Sequence, residues 1–300
     1  MLKITLGWFL LYLLYTKLII MLKKGLLLTF ILLISTLTQA QKKERIKGNK
    51  NVTTQETPIS SFNKISVGEN FFIDIIEGEK ASVFIEADDN LHDVIQFSVA
   101  DSTLSFKTTK RITSSKKLSI KVIYTTSLKE IETVDDGEIS SLTSIDLDDI
   151  SVNSSGASKV FLNIKSQTFN LTSTDRARVK LNVTSNETKF ELSENSKLDA
   201  LINADRMLID MYQRTDAKVR GNLDILKVRA SNSANLVGKE LVSLNCEILS
   251  EDNSDVAVNV TEELFIDVSG SGEIYIYDDP KITLNKFTNT AKLHKKELRK

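Results

Sequence analysis

One cysteine, two histidines and two prolines are all that 300 residues contain, and each shortage closes a route. A lone Cys246 forms no internal disulfide, so stability has to come from packing and strand pairing; its place among Leu244, Cys246 and Ile248 reads as a small buried hydrophobe. His92 lies on a polar break and His294 in a basic stretch, and neither has a cysteine or carboxylate constellation around it, so both read as surface histidines. Zinc spacing, an EF-hand loop, a phosphate-gripping glycine loop and a serine-hydrolase elbow are all missing from the sequence. No catalytic residue, metal ligand or cofactor site follows, and the chain does not read as an enzyme. An excess of basic charge is also lacking. Residues 1–40 hold four of the 39 lysines and arginines and none of the 40 acidic residues, which leaves the remainder at a net charge of −5. A mildly acidic chain with interspersed signs gives no argument for a nucleic-acid partner.

What the sequence does have is a loose repeat. A small residue followed two places later by an aliphatic one recurs at Gly137, Ser158, Ala177, Ser196, Ala217, Ala234, Ser254 and Gly272, at steps of 17 to 21 residues. Alternation continues beyond each marker, as in Ala177, Val179, Leu181 and Val183, and a period of two identifies strands. A second alternating arm follows in each unit, for instance Phe190 with Leu192 and Ile209 with Met211. Between the arms lie polar clusters such as Ser185-Asn186 and Asn203-Ala204-Asp205, which read as turns. Neither arm hides its apolar face alone. Coiling as a parallel solenoid or zigzagging into a sandwich both solve that problem. Stacked small residues and weak hairpin signals favour the solenoid. The expected fold is all-β, a right-handed parallel β-helix-like solenoid with an irregular β-rich N-terminal half.

The expected organisation begins with a signal region, residues 1–40. Met21 is the expected start, Lys23 and Lys24 the basic part, Gly25 to Leu37 the apolar core and Thr38-Gln39-Ala40 the cleavage site. An uncleaved anchor is the alternative reading of this stretch, although each apolar run is shorter than the roughly 20 residues needed to cross a bilayer. The absence of cysteine after the core leaves a bacterial lipid anchor there unsupported. A polar leader, 41–60, precedes a β-rich subdomain, 61–133, that caps the solenoid, 134–284. The basic stretch 285–300 reads as a tail. The mature chain has no stable transmembrane domain on this reading, and its expected location is the periplasm, the outer cell surface or the medium.

Phe62-Asn63-Lys64-Ile65, the strand Leu118 to Tyr124 with Leu128-Lys129-Glu130-Ile131, and the closing Ser269-Gly270-Ser271-Gly272-Glu273-Ile274-Tyr275 resemble the bacterial family called putative auto-transporter adhesin, head GIN domain. The resemblance covers about residues 60–279. It implies an exported bacterial protein with a β-helix-like fold and an adhesive role, and carries no assigned activity. The chain departs from the family pattern at Thr125, Thr126 and Ser127, where a proline is common, and at Asp135 and Asp136, which replace small residues.

Six residues stand out as a candidate contact surface. Alternation puts Asp146 and Asp148 outside while Ile145 and Leu147 point in. Stacking of the second arm sets Glu191 beside Asp210, with Lys227 expected between Asp210 and Glu247. Tyr275 and Tyr277 share the outer face of the closing coil. The expected partners are a glycan, a peptide or an envelope protein, met through many weak contacts. The rival reading is a β-helix polysaccharide lyase or hydrolase working through surface carboxylates.

Overall fold

The computed structural model describes Lys17, Ile19, residues 21–25 and residues 43–298. Lys17, Ile19 and residues 21–25 are helical; the other residues of the expected signal region, including its cleavage site, lie outside the described residues. Among the described residues no helix is long and apolar enough to cross a membrane. The chain divides into two compact units, Met1–Glu44 and Arg45–Lys300.

The second unit is built from strands. Its first part contains β1 (Arg45–Lys47), β2 (Val52–Pro58), β3 (Lys64–Val67), β4 (Phe72–Glu77), β5 (Ser82–Asp88), β6 (Ile95–Ala100), β7 (Thr103–Thr108), β8 (Arg111–Ser114) and β9 (Leu118–Tyr124). Then come β10 (Glu130–Thr133), β11 (Glu138–Ser141), β12 (Ile145–Asp146) and β13 (Asp149–Ser154). Six long strands follow: β14 (Lys159–Ser173), β15 (Arg178–Leu192), β16 (Lys197–Tyr212), β17 (Asp216–Ser231), β18 (Asn235–Ser250) and β19 (Asp255–Val268). The chain closes with β20 (Glu273–Tyr277), β21 (Lys281–Phe287) and β22 (Lys292–Lys295).

The long strands measure 14 to 16 residues, well beyond the usual five or six or so, because each rounds a corner without leaving its ladder. Successive coils pair in parallel at a spacing of 19 residues, so that Val160, Val179, Leu198 and Ala217 stack. Alternation then decides what is buried. One inner column runs Leu104, Ile65, Ile131, Val152, Leu171, Phe190, Ile209, Val228, Ile248, Ile266 and Leu284. All but the last are buried. Each such aliphatic side chain contributes about 1.5–3 kcal/mol by leaving water, and the parallel β-solenoid rests on these columns.

Each coil closes through a turn that contains a left-handed residue. Glu69, Asp135, Gly156, Asp175, Glu194, Gln213, Asn232, Asp252, Gly270 and Asn289 all have positive φ. Asp and Asn tolerate that region and glycine enters it freely, which accounts for most of the column. Ala157, Arg176 and Asn195 donate their N–H groups to the carbonyls of Asp135, Gly156 and Asp175 in the coil before. Two places after each left-handed residue sits the small-residue column. Its first level carries the large Phe71; from Gly137 the residues are small, with Ser158, Ala177, Ser196 and Thr215 next and Ala234, Ser254, Gly272 and Ala291 completing it. Thr215 therefore takes the place expected for Ala217, which instead lies in the next column across from Leu198. Ten levels at the inter-strand spacing of about 4.8 Å make this wall about 43 Å long.

The solenoid starts earlier and ends later than the repeat suggests. β3 and β4 pair in parallel with β10 and β11 and already form a coil. Beneath them β7 and β9 pair with antiparallel neighbours: β6 lies on β7, and β5 and β2 continue from β9. β2 comes from the expected polar leader and β22 from the expected tail, where Lys292–Lys295 pairs in parallel with β20.

A 3-10 turn, Asp89–Val94, links β5 to β6. His92, expected at the surface, is buried in it, with Nε2 3.0 Å from Thr53 Oγ1. The adjacent Asp88 is fully buried and accepts hydrogen bonds from the backbone N–H groups of Lys50 (2.9 Å) and of Lys116 and Lys117 (both 3.1 Å). Burial pushes this carboxyl up, but the backbone donors outweigh it and hold Asp88 below the usual carboxylate range.

Candidate functional site

At the corner between the two arms the coils present polar residues level after level. The last outward position of the first arm carries Asp146, Lys165, Thr184, Asn203 and Asn222 in register. Just past the corner come Asp148, Gln167, Asn186, Asp205 and Asp224. Small and apolar side chains such as Ser185, Ala204 and Leu223 lie between these rows and form the floor. The corner folds this way because Asn, Asp, Ser and Gln accept the bend, whereas the flanking β-branched residues keep the arms straight. The result is an open groove of about 640 Å³ running along the solenoid.

Within the groove Lys165 Nζ lies 2.8 Å from Asp146 Oδ2, and this bond raises the lysine's pKa. Asn222 Nδ2 donates to Asn203 Oδ1 at 3.2 Å, which joins the two neighbouring levels. The Asp148 carbonyl accepts from the N–H groups of Gln167 (2.8 Å) and Thr168 (3.0 Å), which ties the first level to the second. Among the described residues no group of three or more His, Cys, Asp or Glu is arranged to hold a metal ion. The groove thus offers repeated hydrogen-bonding groups and a mild acidic charge.

The six expected contact residues fall in three places. Asp146 and Asp148 line the groove. Glu191 and Asp210 oppose each other on the outer face of the second arm, away from it. Lys227 is not beside Asp210: it stands between Leu208 and Glu247, with its Nζ 2.8 Å from Glu247 Oε2. Burial leaves the Asp210 carboxyl with a raised pKa, although Arg229 and Lys189 pull it down.

Tyr275 and Tyr277 share one face of β20, half-buried, with Ile274 and Ile276 inside. The Tyr275 hydroxyl donates to Glu273, and its ring stacks on His294 at 4.9 Å between centroids. The hydrogen bond to Glu273 pushes Tyr275 up to about 12, while Lys292 and then Tyr275 draw Glu273 down to about 2. His294 is therefore packed against Tyr275 rather than free at the surface. Tyr277 borders a separate recess with Lys239, Glu240 and Lys296.

Gln167, Asn186, Asn203, Asp205, Asn222 and Asp224 line the groove and stand outside the expected contact surface. Their signal was present as the turn clusters between arms. What it lacked was the third dimension, which lines those turns up in rows.

Solved structures share the fold, among them three from Parabacteroides. An adhesin described as putative, from Parabacteroides distasonis ATCC 8503, is 17% identical with a TM-score of 0.59, over 85% of this chain and 100% of that one. Another putative adhesin, from Parabacteroides merdae ATCC 43184, is 14% identical with a TM-score of 0.58, over 85% and 100%. A putative lipid binding protein from Parabacteroides distasonis ATCC 8503 is 18% identical with a TM-score of 0.54, over 84% and 99%. Among curated proteins none matches the chain. The family described as "Putative auto-transporter adhesin, head GIN domain" matches residues 61–201 and 167–280. The chain belongs to this adhesin-associated family of exported bacterial surface proteins.

Proposed function

We propose that the protein is a noncatalytic adhesin-like module that binds an extended polar chain, a glycan in the first place, along the corner groove. One observation carries this reading: hydrogen-bonding side chains recur there level after level, from Asp146 to Asn222 and from Asp148 to Asp224. A chain of hydroxyl-bearing units laid along the axis meets a fresh amide or carboxylate at each step of about 4.8 Å. Affinity then accumulates from many modest, partly water-mediated contacts without a deep pocket. The groove's pairing of Lys165 with Asp146 favours binding over polysaccharide cleavage, since among the described lining residues it leaves no unpaired lysine or arginine beside the carboxylates. A broad glycan and peptide screen of the purified protein tests the reading, followed by titration of any hit against Asn203→Ala and Asp205→Ala. Loss of about tenfold in affinity for each variant, or about 1.4 kcal/mol, is expected. Silence across the screen, or a hit that both variants bind unchanged, refutes it.

A further inference from the structure

The inner columns end differently at the two ends of the solenoid. At the N-terminal end the central second-arm column is closed, because β6 lies antiparallel on β7 with Val99 across from Leu104. Leu104 is fully buried as a result. At the other end the column finishes on β21, and Leu284 is 47% exposed where Ile266 beneath it is 0%. The flanking columns repeat this. Leu264 and Val268 are fully buried, whereas Ile282 and Phe287 on the next level are 41% and 43% exposed. These three side chains point along core columns that stop in water. Among the described residues β21 pairs with β19 alone, so one edge of it presents backbone N–H and C=O groups without a strand partner.

Charge is concentrated at the same end. Residues 281–300 contain seven lysines and arginines and one glutamate, while residues 41–280 contain 28 against 39 acidic residues. Lys281 already meets an acidic residue one level below, Glu263, at 3.3 Å.

We propose that the free edge of β21 docks an acidic, strand-forming segment of another protein, which adds to the solenoid as its next level. Apolar side chains of that segment cover Ile282, Leu284 and Phe287, and its carboxylates lie beside Lys281 and Lys286. A second copy of this chain docked through the same edge fits poorly, because its lysines would meet themselves. A lipid surface fits poorly as well, since acyl chains satisfy no backbone groups. This surface is distinct from the corner groove and stands or falls separately from it.

Hydrogen exchange on the purified protein tests the proposal. The probe is an N-acetylated heptapeptide in which glutamate alternates with valine; the controls are its lysine–valine counterpart and phosphatidylglycerol vesicles. The acidic peptide is expected to slow exchange across residues 281–287 by about tenfold or more, less so at high salt. Leu284→Lys should abolish that protection while leaving exchange in β14–β19 unchanged, which shows that the fold survives. Absence of protection by the acidic peptide overturns the proposal, as does equal protection by the lysine peptide. Protection by the vesicles alone would assign the edge to lipid, and protection that rises with protein concentration without peptide would assign it to a second copy; both outcomes overturn the proposal too.

Discussion

Asp210 lies beside Arg229: the two residues face each other across neighbouring coils, and the guanidinium Nη1 comes within 3.8 Å of the carboxylate Oδ1. That separation is too long for a hydrogen bond, and Asp210 itself is buried.

Burial is the larger influence on Asp210 and raises its pKa above the ordinary 3.8 despite Arg229. A carboxyl raised on folding contributes most below its unfolded pKa, and that contribution disappears as pH rises through the folded value. At neutral pH the ionised group is therefore a burden. Asp210→Asn should raise the melting temperature at pH 7 by roughly 1–3 °C, and Arg229→Gln should lower it. A clear fall for Asp210→Asn in calorimetry would show that the ion pair outweighs its desolvation.

Lys227 and Glu247 form an exposed pair between coils. Such a pair is worth about 0.2–1 kcal/mol and is screened by salt. Lys227→Glu should destabilise the protein by about that amount at low ionic strength, and adding Glu247→Lys should restore most of it. Denaturant titrations in low and high salt read the difference; a loss that salt leaves untouched would point to packing instead.

Gly221 has a φ of +120°, and a Cβ there would fall 1.9 Å from the Ile202 carbonyl oxygen. Gly221→Ala should cost at least about 1–3 kcal/mol through backbone strain. Thr215→Ala, in the separate small-residue column, is the contrasting substitution, since Ala177 and Ala234 fill that column and the buried Thr215 hydroxyl has no hydrogen-bond partner among the described residues. It should be neutral or mildly stabilising. A loss for Thr215→Ala as large as that for Gly221→Ala in urea unfolding would show that the small-residue column demands more than small size.

Glu273 anchors the last first-arm level through Lys292, and its pKa falls from 4.5 to about 2 on that account. A depressed carboxyl contributes fully above its unfolded pKa and loses its contribution as pH falls through the folded one. β22 should therefore loosen between about pH 4.5 and about pH 2. Limited hydrogen exchange of residues 292–295 over that range should reveal the loosening, and Glu273→Gln should remove its pH dependence. Identical profiles for the two proteins would separate Glu273 from the hold on β22.

Much of this architecture was legible in the sequence, and the two misplacements have one cause. Reading Ala217 for Thr215 and Lys227 for Arg229 are both slips of two residues. In a strand such a slip leaves every side chain on its proper face, so alternation passes it unnoticed. What fixes register is the left-handed turn, where Gln213 stands at the level of Glu194 and Asn232. Gln213 has no typical turn signature, and there the spacing was lost. The corner groove was hidden differently: Asn186, Asn203 and Asp205 are ordinary loop residues one at a time, and only stacking turns them into rows. Buried His92 was hidden because its partner, Thr53, lies in a stretch without hydrophobic periodicity.

Because each closing turn carries its left-handed residue at the matching position and hydrogen-bonds to the turn of the coil before, the solenoid is a ruler with repeated divisions. Deleting or duplicating one nineteen-residue division disturbs two junctions and no distant contact. The length of the corner groove is thus a quantity that gene duplication can adjust in increments, while both extremities keep their own chemistry.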